Sequence, residues 1–137
     1  AMAKITRRTA RESAVQLLYG YDFQKEYDKE EFFAFTSEEA EIETNAFAKE
    51  LYMGTLEHLA EIDAKIEENL RSWSIDRVSK ISLAVMRVCA YELMFTEVPV
   101  PIAINEAIEI DKKFDKDDAP SFINGVLNAI AKGCRAE

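Results

Sequence analysis

The chain has 137 residues, 48% of them hydrophobic, with four glycines, three prolines and a net charge of −9. This length and composition exclude a disordered chain and predict one globular domain, residues 1–137, built from long regular elements. No apolar run approaches the roughly 20 residues that span a bilayer, and no secretory signal is visible, so we expect a cytoplasmic protein without a membrane partner. The two cysteines, Cys89 and Cys134, lack metal-ligand spacing and suit a reducing compartment.

Charge is unevenly distributed along the chain. Residues 1–18 carry four basic side chains and one acidic side chain, a net charge of +3, so the remaining residues sum to −12. Ten acidic residues lie between Asp22 and Glu50, against three lysines. This asymmetry predicts a small basic contact surface on a chain that otherwise repels polyanions. Because so few cations give modest affinity, it also favours a second partner that supplies more positive charge.

The first predicted helix runs from about Thr6 to Lys25. Its apolar positions recur on one helical face: Ala10, Ala14, Leu17, Leu18 and Tyr21. A short helix is expected over Glu30–Phe35. Thr36, followed by Glu39 three residues later, has the pattern of a capping box and predicts the start of the next helix. Helical periodicity then continues, and a break is expected near Glu61–Asp63 because long uncapped runs are unusual in small domains.

The second half of the chain also has helical patterning. Residues Val78–Thr96 are apolar on nearly all sides, which predicts a central helix. Pro101 suits the first turn of a following helix over Ile102–Phe114. Pro120 begins the last helix, which is expected to end before Gly133. The sequence therefore predicts an all-α fold of six or seven helices.

No catalytic or metal-binding constellation is visible, and the pattern indicates no cofactor. His58 is the only histidine and has no serine, cysteine or metal partner at useful spacing. The sequence has no glycine-rich phosphate loop and no histidine–cysteine cluster. Cys89 lies on an apolar helical face and is expected to be an inert core thiol. We therefore expect no enzymatic activity.

Three arginines lie within five residues at the start of the first helix: Arg7, Arg8 and Arg11. The helix dipole favours anions at that end, so a purely structural helix gains nothing from cations there. Exposed arginines beside free backbone N–H groups would bind phosphates. The alternative interpretation is a solvated, charged terminus.

Phe122 stands at the beginning of the last helix. It either anchors the helix start in the core or provides a platform on which an unpaired RNA base stacks, a contact of about 1–3 kcal/mol per base. Asn124 favours the second interpretation, because an amide can read base edges, and Gly125 permits close approach of a helix or ligand. For Asn105 and Glu106 a structural role in buried hydrogen bonds is expected.

Four segments together form a recognisable pattern: RRTARESAVQLLY (7–19), RVCAYEL (87–93), VPIAINEAIE (100–109) and SFINGVL (121–127). In this order and spacing they resemble the NusB transcription antitermination factors of bacteria over nearly the whole chain. The resemblance implies an all-helical fold of about seven helices, arranged as two packed three-helix bundles plus an extra helix. It also implies a non-enzymatic role.

Members of that family pair with NusE, a small-subunit ribosomal protein, and together hold a single-stranded boxA element of nascent RNA in antitermination complexes on ribosomal RNA operons. The resemblance therefore implies, as partners, single-stranded RNA, NusE and the transcription elongation complex. By position it implies RNA contacts from Lys4, Arg7, Arg8, Arg11, Asp118, Phe122 and Asn124. It further implies a NusE docking face built largely from the central helix and the helices around it, and in some members a homodimer that covers the RNA face.

One position departs from the family pattern: Ser82 stands where members often carry an acidic residue linked to partner docking. Two alternatives stay open. The first is a helical protein–protein interaction module or homodimer whose basic terminus is incidental. The second is the NusB-like domain that occurs fused to RNA methyltransferases. The second alternative is disfavoured, because this length leaves no residues for a cofactor-binding α/β domain.

Overall fold

The computed structural model describes residues 4–71, 74–115 and 120–135. Within these ranges it contains seven α-helices, one short 3₁₀ turn and no strand. The helices are α1 (Arg7–Tyr21), α2 (Lys29–Glu39), α3 (Ala46–Glu57), α4 (Leu59–Glu68), α5 (Lys80–Phe95), α6 (Val100–Phe114) and α7 (Pro120–Cys134). The predicted all-α class is confirmed. None of the described helices is both long and apolar enough to cross a membrane.

Local capping chemistry explains most helix starts. Four helices follow a residue whose side-chain oxygen accepts a backbone N–H of the first turn, namely Thr6, Asp28, Asn45 and Ser79. α6 instead carries Pro101 in its first turn, where the missing N–H has no helical partner to lose.

The predicted helix start at Thr36 is wrong. α2 begins after Asp28, runs through Thr36 and ends at Glu39. The Asp28 carboxylate accepts the backbone N–H of Glu31 at 3.0 Å and starts α2, which covers the predicted short helix Glu30–Phe35 and continues past Thr36. The next helix, α3, begins only after the Asn45 cap.

The break between α3 and α4 lies at His58 rather than near Glu61–Asp63. His58 has non-helical backbone angles (φ −114°, ψ 23°), and its ring stacks on Phe95 of α5 with the ring centroids 4.0 Å apart. Ile62, which lies inside the predicted break, is fully buried in α4. The aromatic contact and the buried isoleucine together place the bend one turn earlier.

α5 is the centre of the molecule. One three-helix bundle consists of α1, α2 and α3, a second consists of α5, α6 and α7, and α4 is the extra helix, packed against α3, α5 and α7. α5 also packs against α1 and α3 and so joins the two bundles. This arrangement confirms the architecture that the resemblance implied.

The burial of α5 narrows one expectation about the partner face. Eleven of its sixteen residues are buried. Only Lys80 and Phe95 are exposed, because helices cover α5 on nearly every side. A docking face there would therefore consist mostly of the helices around α5, with little surface from α5 itself.

Candidate nucleic-acid interface

The start of α1 presents three exposed cations, Lys4, Arg7 and Arg8. The Arg7 guanidinium lies over the ring of Phe47 at the start of α3, with Cζ 3.8 Å from the ring centroid. This cation–π contact holds the arginine in place while its outer face stays in solvent. The first turn of α1 contains no acidic residue, so nothing in that turn neutralises the site.

Arg8 forms a two-pronged ion pair with Glu106 on α6. Its Nε and Nη2 donate to Oε1 and Oε2 at 2.9 and 2.7 Å. The hydrogen bonds and the charge of Arg8 hold the pKa of the Glu106 carboxyl below its usual range. The Arg8 side chain keeps about half of its surface in solvent, 47%, so it remains accessible to a second anion.

The expectation of an exposed arginine is wrong at Arg11. Its side chain is only 5% exposed, and its Nε and Nη2 donate to the two carboxylate oxygens of Glu92 on α5 at 2.9 Å each. At its position on α1 the Arg11 side chain points towards α5, where the Glu92 carboxylate compensates its buried charge. Arg11 therefore fixes α1 against α5 and does not face solvent beside Arg7 and Arg8.

The start of α7 carries the second predicted half of the interface. Phe122 is half-buried and packs against the core, so its ring combines an anchoring contact with a solvent-facing part. Asn124 is exposed, and its Oδ1 accepts a hydrogen bond from Nδ2 of Asn128 at 3.0 Å. Asp118, also predicted here, lies outside the described residues.

A groove of about 630 Å³ runs between α6 and α7. Three asparagines line it: Asn105 from α6, and Asn124 and Asn128 from α7. Asn105 is exposed, so the expectation that it makes buried structural hydrogen bonds is wrong. Glu106, its neighbour, is partly buried and does have a scaffold role through Arg8.

α6 lies between the two halves of the interface. Its Glu106 and Lys113 reach α1 through ion pairs with Arg8 and Glu12, the second at 3.1 Å. The adjacent flank of α6, which carries Asn105, forms the groove with α7. The cations of α1 and the amides of α7 therefore do not touch each other but are connected across one helix.

Sequence reasoning missed two parts of this surface. The cation–π contact of Phe47 with Arg7 joins residues 40 positions apart. The Arg8–Glu106 pair joins residues 98 positions apart. No local pattern reports such contacts, since they depend on how α3 and α6 pack beside α1.

Ser82 lies in a buried polar cluster rather than on a docking surface. It is 2% exposed, and its hydroxyl lies 2.7 Å from Oδ1 of Asp111 and 2.9 Å from Oδ2 of Asp115. Burial is the largest cause that raises the pKa of Asp111, and the charge of Asp115 adds to it. Two carboxyl groups from the end of α6 thus occupy the neighbourhood of this serine at the start of α5.

Reactive groups elsewhere are few. Burial raises the pKa of the Cys89 thiol, which therefore stays protonated and unreactive. Among residues 4–71, 74–115 and 120–135, no three histidine, cysteine or acidic side chains come together as a metal site.

Comparison with known proteins decides the family. The sequence model of the NusB family matches residues 8–132. The chain belongs to the NusB family. It is 45% identical over 129 residues to the transcription antitermination protein NusB of a Nitratiruptor species, covering 93% of this chain and 92% of that protein. It is 41% identical over 128 residues to the same-named protein of Geobacter sulfurreducens, covering 91% and 93% of the two chains.

Solved structures agree with that assignment. NusB of T. maritima superposes with a TM-score of 0.81 at 32% identity, covering 95% of this chain and 93% of that one. A crystal structure of the antitermination factors NusB and NusE in complex with dsRNA superposes with a TM-score of 0.79 at 32% identity, covering 93% and 96%. NusB-family proteins are RNA-binding transcription antitermination factors and not enzymes, so the predicted family and non-enzymatic class are confirmed.

Proposed function

We propose that this chain acts in the cytoplasm as a single-domain transcription antitermination factor that binds single-stranded boxA RNA together with NusE, within elongation complexes on ribosomal RNA operons. The observation that carries the proposal is the cationic surface at the start of α1, where Arg7 and Arg8 are exposed and are held by Phe47 of α3 and Glu106 of α6. A related NusB–NusE complex with dsRNA supports the RNA and the partner.

Phosphate binding falls to Lys4, Arg7 and Arg8. Arg7 is held by Phe47 and Arg8 by Glu106, so both lose little side-chain freedom when an RNA phosphate arrives. Arg11 holds α1 in place through its ion pair with Glu92 and makes no contact with the RNA.

Base recognition falls to the start of α7. Phe122 keeps part of its ring in solvent, where an unpaired base can stack, and Asn124 offers its amide nearby on the same helix. Asp118 belongs to this half by family resemblance.

The proposed NusE docking surface is a set of exposed aromatic side chains at the end of α1 and along α2, called here the aromatic surface: Tyr19, Phe23, Tyr27 and Phe35. Phe35 is 69% exposed and lines a groove of about 360 Å³ together with Tyr27. Exposed aromatic groups of this kind mark protein contacts. The acidic residues around these aromatic side chains favour a positively charged partner. RNA binding also requires that additional positive charge.

A homodimer through the aromatic surface is the competing arrangement. It predicts that the isolated chain sediments as a dimer and that excess NusE converts it to a heterodimer. Phe23→Ser would then lower both associations, whereas binding of NusE to another surface would leave NusE affinity unchanged.

The test of the proposal is binding of a boxA RNA to the chain with and without NusE, measured by fluorescence anisotropy. We expect weak binding alone, stronger binding with NusE, and loss of affinity on Arg7→Ala, Arg8→Ala and Phe122→Ala. Arg77→Ala is the matched control for the cations: it removes an exposed charge beside the start of α5, near the other end of α1, where Lys80 pairs with Asp22.

Binding in the absence of NusE isolates the contribution of this chain from that of the partner. Equal affinity for wild type, Arg8→Ala and Arg77→Ala would reject the α1 site. No enhancement by NusE would leave only the interaction-module interpretation.

A further inference from the structure

The groove between α6 and α7 has an unusual lining for a helix–helix seam. Its floor is apolar, with Ile104 and Ile108, and its rim carries Asn105, Asn124 and Asn128. Asparagine is a poor helix former, and all three asparagines are solvent-exposed. Helix formation and core packing therefore give no reason for amides at these positions.

Hydrogen-bonding capacity is left over at the rim. Asn128 donates to the backbone oxygen and the side-chain oxygen of Asn124 at 2.9 and 3.0 Å, which orients both amides. Nδ2 of Asn124 and Oδ1 of Asn128 make no further bond within the described part of the chain. Asn105 makes no side-chain hydrogen bond to any described residue. The rim thus presents donors and acceptors side by side above an apolar floor.

This combination matches an unpaired nucleobase. The flat ring of a base would cover the apolar floor of the groove, and the edge of the base would meet the amides. The Oδ1 of an asparagine amide accepts from the N6 amino group of adenine while one N–H of its Nδ2 donates to N7, a two-pronged pair. Guanine presents two acceptors along the equivalent edge and leaves the amide oxygen opposed to an acceptor.

The groove is continuous with the cationic surface of α1. Asn105 directly precedes Glu106, which holds Arg8 through two hydrogen bonds. A strand whose phosphates lie on Arg7 and Arg8 therefore passes over α6 directly beside the groove. One acidic residue, Glu109, also lines the groove, and Lys112 beside it donates to its carboxylate at 3.4 Å, which offsets the repulsion of a phosphate.

We propose that the α6–α7 groove takes one unpaired adenine of the bound RNA, with Asn105 and Asn124 reading its edge. The inference rests on the proposed RNA-binding function and adds to it a site of base selectivity that is separate from the phosphate contacts.

The test compares 12-nucleotide oligo(A), oligo(U) and oligo(C) for binding to the chain in the presence of NusE. Wild type is expected to favour oligo(A) by about tenfold, the discrimination of one two-pronged base contact. Asn105→Ala and Asn124→Ala remove the preference, while the dependence of affinity on salt stays as in wild type because the phosphate contacts are intact. Asn69→Ala removes an amide at the end of α4, which lines neither the α6–α7 groove nor the groove of the aromatic surface, and is the control that keeps the preference.

Two different failures are distinguishable. Salt-dependent binding without preference for oligo(A), or a preference that survives both asparagine substitutions, overturns the groove inference and leaves the proposed function standing. Absence of salt-dependent RNA binding overturns both. Equal thermal stability of wild type and Asn105→Ala confirms that a lost preference is not a folding defect.

Discussion

Gly54 and Gly125 both lie inside helices but have different surroundings. A Cβ built on Gly54 would lie 2.5 Å from Cε1 of the Tyr91 ring, whereas a Cβ on Gly125 meets nothing within 4 Å. Gly54 is thus required for the close packing of α3 on α5. Gly125, which the sequence suggested as a point of close approach, faces open space on α7.

The two glycines give a matched pair of substitutions. Gly54→Ala forces Tyr91 or the backbone to move, and we expect a loss of about 1–3 kcal/mol in the free energy of unfolding. Gly125→Ala fits without contact and is expected to raise that free energy by about 0.5–1 kcal/mol, because alanine loses less chain entropy in a helix. Urea denaturation of both variants measures the difference. An equal effect of the two substitutions would contradict the packing argument.

Asp111 predicts a pH dependence of stability. The carboxyl is fully buried, its Oδ2 has no hydrogen-bond partner among the residues that the structure describes, and its pKa is raised in the folded state. The folded protein therefore holds the proton more tightly than the unfolded chain does, so this group stabilises the fold at acidic pH and loses that contribution as pH rises through its raised pKa.

The measurement is urea denaturation of wild type and Asp111→Asn across a pH series. We expect the variant to gain stability relative to wild type from about pH 4 towards neutrality, since the amide carries no charge to bury. Asp76→Asn, on the exposed 3₁₀ turn Ile75–Arg77, is the control and should follow wild type. Parallel curves for Asp111→Asn and wild type would show that Asp111 does not carry the effect.

Between elements, the Arg11–Glu92 pair fixes α1 on α5. Arg11→Met leaves the Glu92 carboxylate buried without a counter-charge, and we expect a loss of about 3–5 kcal/mol. Replacing both residues (Arg11→Met with Glu92→Leu) removes the uncompensated charge and should restore most of the stability. Chemical denaturation of the single and double variants forms the cycle.

The same double variant tests the role of Arg11 in RNA binding. Because Arg11 is buried, the folded double variant is expected to bind boxA RNA as wild type does. Reduced affinity in a folded, equally stable double variant would return Arg11 to the list of RNA contacts that the sequence suggested.

The ion pair between Arg8 and Glu106 links α1 to α6 and competes with RNA. An incoming phosphate must share Arg8 with a carboxylate, so Glu106→Gln should strengthen RNA binding by leaving the guanidinium charge uncompensated. Glu67→Gln, which removes an exposed charge from α4, is the control for net charge. Weaker binding of Glu106→Gln would mean that the positioning of Arg8 by Glu106 outweighs the competition for its charge.

Helix number and order were predictable because they depend on local periodicity and on Pro101 and Pro120. Boundaries failed where tertiary contacts decided them: His58 bends the chain because its ring stacks on Phe95. For the interface, the sequence located Arg7 and Arg8 but not which arginine would turn inward. The difference between Arg8 and Arg11 depends on Glu92 and Glu106, which lie about 80 to 100 residues away.

For the whole molecule, the balance of charge determines how the interface must work. A net charge of −9 opposes a polyanion, and the described cations of α1 that remain exposed are few. The contacts proposed for the α6–α7 groove and Phe122 do not depend on charge. Because of this charge balance, we expect the affinity for RNA to depend on both the protein partner and the base contacts.

Salt dependence measures the balance directly. If Lys4, Arg7 and Arg8 each neutralise one phosphate, a plot of log affinity against log salt concentration for single-stranded RNA should have a slope of about −2 for the chain alone. Each single substitution to alanine should make that slope shallower by about 0.7. With NusE the slope should steepen, since the partner adds phosphate contacts. A slope near zero for the chain alone would mean that the cations of α1 do not touch the RNA, and an unchanged slope with NusE would mean that the partner strengthens binding only by ordering this chain.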